Sequence, residues 1–191
     1  MSYRNNPDAV NALVRPAEVH KDLFISDEIF ELEMTQLFAN TWVYVGHDSQ
    51  IPNTGDFFTT TVGNESVVMI RDADDSVRVL YNRCPHKGVM LLSDTYGNAG
   101  RFLRCPYHAW SFRLNGDLLA LPLKRGYDPE IFGQTEAHNG MAAVENVHNH
   151  RGFVFCRLNP QGQSFEDFFG ESLSTLDNMI DRAPEGRLEV A

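Results

Sequence analysis

Two short stretches restrict this chain more than any other feature: Cys84-Pro85-His86-Lys87-Gly88 and Cys105-Pro106-Tyr107-His108-Ala109-Trp110. Each offers one thiol and one imidazole, and each places a proline directly after the cysteine. Together they use two of the three cysteines in 191 residues. Pro85 and Pro106 hold φ and delete a backbone N–H, which stiffens both loops. Gly88, Gly97 and Gly100 permit backbone shapes that bulkier residues avoid.

The segments around these loops read as short strands. Trp42–Val45, Phe57–Val62, Ser66–Arg71 and Val77–Tyr81 are rich in β-formers and separated by turn residues. Gly63-Asn64 and Asn115-Gly116 are hairpin signals. Asp72–Asp75 reads as a polar turn with a solvated tip. Two further strands are expected at Met141–Val147 and Gly152–Leu158. So many short strands predict a mainly β fold, an antiparallel sandwich or small barrel. On this map both Cys-Pro loops connect strands and sit at the tips of hairpin-like fingers. Helices flank the β region. Ser26 offers an N-cap for an amphipathic helix over 27–39, carrying Ile29, Phe30, Met34, Leu37 and Phe38. Ser164–Arg182 reads as a second helix, with an apolar stripe from Phe165 to Ile180. The resulting division is an arm and helix over 1–40, a loop-bearing domain over 41–160, and a helix with the start of a linker over 161–191.

Charge and cysteine usage narrow the function. The formal net charge is −10, from 26 acidic and 16 basic residues. That argues against a nucleic-acid partner, which needs a basic face, and against an anionic membrane surface. The charge serves solubility first; an acidic patch that meets a basic partner is the second reading. The N-terminus is polar, and no apolar run reaches the roughly 18 residues of a membrane span. A soluble cytoplasmic protein is expected. Three cysteines do not make a disulfide scaffold, so Cys and His together point to metal or redox chemistry.

Cys84, His86, Cys105 and His108 suit zinc or an iron–sulfur cluster. Structural zinc loops usually group like ligands at C-x2-4-C and H-x3-5-H. Here each loop mixes the two types, and C-x-H is tight for two ligands on one tetrahedral ion. The pattern is natural if each loop reaches two different atoms. A [2Fe–2S] rhomb with two thiolates on one iron and two imidazoles on the other is such a case. A Cys84–Cys105 disulfide is the least favoured reading.

The two loops resemble the Rieske motif of the large (alpha) subunits of aromatic-ring-hydroxylating oxygenases. The likeness extends through Tyr81-Asn82-Arg83-Cys84, through the run after Trp110 to Leu114-Asn115-Gly116-Asp117-Leu118, to Phe38-Ala39-Asn40-Thr41-Trp42 and to Arg151-Gly152-Phe153-Val154-Phe155. It covers roughly residues 20–185. Two departures leave the ligands untouched: Lys87 stands where many members carry Arg, and the loops lie a residue or two further apart. Lys87 puts a point charge there in place of a forked guanidinium.

The resemblance implies a Rieske [2Fe–2S] cluster held by Cys84, His86, Cys105 and His108. Two neutral imidazoles in place of thiolates leave the oxidised core uncharged, which raises the potential above that of plant-type ferredoxins. Trp110 is expected as apolar cover, and Tyr107 as either packing or a hydroxyl donor that tunes the cluster. The implied role is electron transfer from a reductase or ferredoxin to a mononuclear non-heme Fe(II) that activates O2 to dihydroxylate an aromatic ring. His108 is the implied exit, toward a carboxylate next to the catalytic iron of a neighbouring subunit. A homotrimer or α3β3 parent is implied too.

That iron needs a two-His-one-carboxylate triad, which these subunits carry in a separate C-terminal domain. The one candidate here, Glu145 with His148 and His150, runs straight into the Arg151–Cys156 strand and reads as a solvated turn. Cys156 reads as a buried small hydrophobe. The chain is therefore expected to be the Rieske half of such a subunit, without the catalytic half and without turnover on its own. A free-standing Rieske carrier and a zinc-bound structural module remain the alternatives. The two flanking helices argue against the first.

Overall fold

The computed structural model describes residues 2–127 and 140–190. A short helix α1 (Pro7–Asn11) and a hairpin β1 (Val14–Arg15) and β2 (Glu18–Val19) form the N-terminal arm, followed by α2 (Asp22–Ile25) and α3 (Asp27–Leu32). The β region holds β3 (Val43–His47), β4 (Asp56–Val62), β5 (Glu65–Arg71), β6 (Val77–Tyr81), β7 (Tyr96–Asn98), β8 (Leu103–Arg104), β9 (Ser111–Phe112), β10 (Leu118–Ala120), β11 (Asn146–His150) and β12 (Phe153–Arg157). Two helices close the chain, α4 (Phe165–Phe169) and α5 (Leu173–Asp181).

A four-stranded antiparallel sheet, β6-β5-β4-β7, lies at the centre. One face packs on the sheet β11-β12-β3, with Val67, Met69, Val79, Val154 and Cys156 between them. The other face packs on the small sheet β10-β9-β8 and on the two Cys-Pro loops, with Val68, Ile70, Leu80, Leu103 and Phe112 between. This is why β5 reads as an unbroken apolar run rather than an alternating one. Its successive side chains point to opposite faces, and both faces are covered. Val67, Val68, Met69 and Ile70 are all fully buried. Each such side chain contributes about 1.5–3 kcal/mol relative to exposure.

The hairpin signals hold. Gly63 and Asn64 link β4 to β5 in a two-residue turn with Val62 opposite Glu65. Gly63 has φ 57°, and a Cβ there would lie 3.3 Å from Met34 O and from Phe38 Cβ. The N-terminal helix thus rests on this turn and needs glycine beneath it.

Three expectations need correction. The helix over 27–39 widens after Leu32 into a π-helical stretch, Glu33–Phe38. The expected strand Met141–Val147 is divided. Residues 142–144 run beside β6, with bonds Tyr81 N to Ala142 O and Val144 N to Val79 O, and the chain then crosses to the other sheet at β11. The helix Ser164–Arg182 breaks at Gly170, where φ is +48° and the backbone cannot stay α-helical. Ser164 does cap the first piece, accepting from Asp167 N at 3.1 Å. Among the described residues no helix is long and apolar enough to cross a membrane.

Candidate metal centre

The two Cys-Pro loops meet over the cluster-side face of the central sheet. The first connects β6 to β7, and the second is the tip of the β8–β9 hairpin. They share one backbone frame. In the first, Cys84 N donates to Val89 O at 2.7 Å and Gly88 N donates to Cys84 O at 2.8 Å. In the second, Cys105 N donates to Trp110 O at 2.8 Å and Ala109 N donates to Cys105 O at 3.0 Å. In both, the residue four after the cysteine is left-handed, with φ 71° at Gly88 and 57° at Ala109. The histidine sits two places after the cysteine in the first loop and three in the second.

The frame sorts the donors by depth. Cys84 and Cys105 are buried at 2% and 3% exposure and lie in the same core cluster. His86 is half-buried and His108 exposed, with ring centroids 4.8 Å apart. Burial pushes the Cys84 thiol up, opposed by the His86 N–H that points at its sulfur and reinforced by Cys105. Burial also pushes the His86 imidazole down, with His108 and Lys87 adding to it. A metal taken up here therefore displaces thiol protons and meets an imidazole that is already neutral.

Asn82 anchors the first loop, a role that the sequence reading did not assign. Its side chain is buried and closes a ring with Leu92, donating to Leu92 O at 2.8 Å and accepting from Leu92 N at 3.0 Å. Its own N–H donates to Ser66 O on β5. Trp110 is the expected apolar cover, 4% exposed, and also stacks face to face on His86 at 4.7 Å and 6°. Tyr107 is 63% exposed and leans on His108 at 3.8 Å, and its hydroxyl makes no hydrogen bond among the described residues. The layer is also the basic part of an acidic chain. Residues 82–127 carry Arg83, Lys87, Arg101, Arg104, Arg113, Lys124 and Arg125 against only Asp94 and Asp117.

The donor set fits a two-iron group better than a single ion. It divides into a buried thiol pair and an outer imidazole pair, and among the described residues no three His, Cys, Asp or Glu side chains converge on one metal position. His148 and His150 lie in strand β11 rather than in a turn. The His148 ring stacks on Phe165 at 3.8 Å, and His150 Nε2 pairs with Asp177 Oδ1 at 2.8 Å. Both are engaged in holding the C-terminal helices. Cys156 is fully buried between the sheets, and burial lifts its thiol to about 12.

An antiparallel β fold that presents two Cys-Pro-bounded loops, each with one thiol and one imidazole, defines a Rieske-type iron–sulfur domain. Residues 41–128 match the Rieske [2Fe-2S] domain family, and the chain is similar to large subunits of aromatic-ring dioxygenases. It is 35% identical over 173 residues to the anthranilate 1,2-dioxygenase large subunit of Acinetobacter baylyi, covering 90% of this chain and 36% of that protein. Among solved structures it is similar to the naphthalene 1,2-dioxygenase of a Rhodococcus species bound to indole, with TM-score 0.80, 25% identity, and 95% and 40% of the two chains covered. It is also similar to a quaternary ammonium Rieske monooxygenase whose structure is described in terms of carnitine oxidation and inter-subunit electron transfer, with TM-score 0.72, 31% identity, and 83% and 42% covered. The chain thus spans about two fifths of the length of the relatives it matches.

Proposed function

We propose that this chain is the electron-transfer domain of an aromatic-ring-hydroxylating dioxygenase large subunit. It takes electrons from a reductase or ferredoxin and passes them to a mononuclear non-heme iron that activates O2. The carrying observation is the sorting of the four donors, with Cys84 and Cys105 buried, His86 half-buried and His108 exposed. A [2Fe–2S] group bound there supplies reversible one-electron redox chemistry. The thiolates of Cys84 and Cys105 would hold one iron of such a group, and the imidazoles of His86 and His108 would hold the other. Leu91, Leu103 and Phe112 exclude water from the thiol side.

His108 is the donor most open to a partner, and we assign it as the exit toward a neighbouring subunit. The basic rim suits an acidic electron donor, because complementary charge speeds encounter. In this reading residues 41–160 form the cluster domain, 1–40 its N-terminal arm, and 161–191 the start of the link to a catalytic domain. The parent is a homotrimer or α3β3 assembly in the cytoplasm.

The test is reduction by protein donors. The iron- and sulfide-loaded chain is mixed anaerobically with NADH and an oxygenase reductase, with and without its ferredoxin, and visible absorbance is followed. The expected result is reversible bleaching by one electron per chain. A loaded chain that dithionite bleaches but no reductase–ferredoxin pair does would contradict the donor assignment.

A further inference from the structure

An imidazole that holds a metal must keep its ring plane fixed, and rotation about its outer side-chain bond is soft. Ligating histidines are usually oriented by a hydrogen bond to the second ring nitrogen. Among the described residues neither His86 nor His108 receives such a bond. His86 has another constraint. Its ring lies parallel to the Trp110 indole, 4.7 Å away and tilted by only 6°, while His108 meets it edge-on at 69°.

The indole is itself held from several sides. Trp110 is 4% exposed, its Nε1–H donates to the Tyr127 hydroxyl at 3.3 Å, and the Tyr127 ring meets it edge-on at 6.1 Å. Its carbonyl accepts the bond from Cys105 N that closes the second loop. One residue of the second loop therefore closes its own turn through its backbone and fixes the first loop's imidazole through its side chain. His108 has no equivalent. Its neighbour Tyr107 is exposed and tilted by 35°.

We propose that Trp110 is a positioning residue that locks the ring plane of His86 across the two loops, making the two imidazoles inequivalent toward the iron they would hold. The proposal rests on His86 and His108 being the imidazole ligands. A stacked π face both restricts the ring and lowers the local polarity around it. Its loss should therefore change the electronic environment of the imidazole-held iron rather than only the stability of the fold.

Two readouts separate the proposal from the cluster assignment. In the metal-free chain, the carbon-bound ring protons of His86 should show an upfield NMR shift from the indole, which Trp110→Leu abolishes and Trp110→Phe reduces. In the loaded chain, Trp110→Leu should move the reduction potential and the g anisotropy of the reduced EPR signal, and Trp110→Phe should move both less in the same direction. If Trp110→Leu takes up no iron, Trp110→Phe decides alone. Wild-type potential and g values in the loaded variant that decides would overturn the proposal, as would a wild-type His86 shift in Trp110→Leu. Failure of the wild-type chain to bind iron and sulfide would instead overturn the cluster assignment, and the NMR result would still stand.

Discussion

The two Cys-Pro loops are one turn used twice, with different supports. Both close a hydrogen-bonded ring between Cys N and the carbonyl five residues on, and both turn through a left-handed residue. The second loop needs little else, because it is the tip of a hairpin whose strands β8 and β9 pair directly. The first spans a longer connection and is tied down from outside, by Asn82 at its base and Trp110 against its histidine. The backbone frame is thus common to the two loops, while the stacked Trp110 is a support that only the first loop's imidazole has. The one-residue offset of the histidines lets the two rings meet at 4.8 Å although the turns are alike.

The largest effect should come from the shared part of the frame. Cys84→Ala and Cys105→Ala should each abolish iron and sulfide retention, since two ligands of one iron cannot be replaced by one; metal assay after desalting checks this. Asn82→Ala should break the symmetry. It orphans the Leu92 N–H and carbonyl and should cost about 2–3 kcal/mol in urea denaturation, with no position of like effect at the base of the second loop.

The left-handed positions sharpen the comparison further. Gly88→Ala should cost about 1–2 kcal/mol purely from backbone strain, since nothing lies within 4 Å of the added Cβ. Ala109→Gly should stabilise by up to about 1 kcal/mol, the gain from relieved strain being reduced by the greater freedom of the unfolded chain. Equal and like-signed effects at the two sites would refute the common frame.

A pH-dependent effect concerns the third cysteine, which lies in the other core. Its folded pKa is about 12, against about 8.5 for an unfolded cysteine. The stability that the protonated Cys156 thiol provides is fully present below about pH 8.5 and is lost as pH rises toward 12, by about 1.4 kcal/mol per pH unit within that window. Urea denaturation of wild type and Cys156→Ala at pH 8 and pH 10 should show the difference between them changing in this direction.

Much of this was legible in the residues, for stated reasons. Val77–Tyr81 is a strand as read, and the turns at Gly63-Asn64 and Asn115-Gly116 carry the residues that such turns demand. The four Cys and His side chains that the structure brings together stand out by type and spacing. What stayed hidden depends on tertiary contact. Asn82 follows a strand like any polar loop residue, and only its burial shows that it must be bonded. Ala109 gives no hint of a left-handed turn, whereas Gly88 does. The chain over 141–150 changes sheets midway because Val144 is buried between the two, which no local pattern states. The apolar stripe from Phe165 to Ile180 reads as one helix and hides the break at Gly170. His148 and His150 resembled a turn because their partners, Phe165 and Asp177, are distant in sequence.

The most direct test of the account is to assay iron, acid-labile sulfide and zinc on one sample of the chain and record low-temperature EPR before and after dithionite. The account predicts two irons and two sulfides per chain, no zinc, no signal when oxidised and a rhombic signal on reduction. A colourless chain with one zinc and no signal would contradict it.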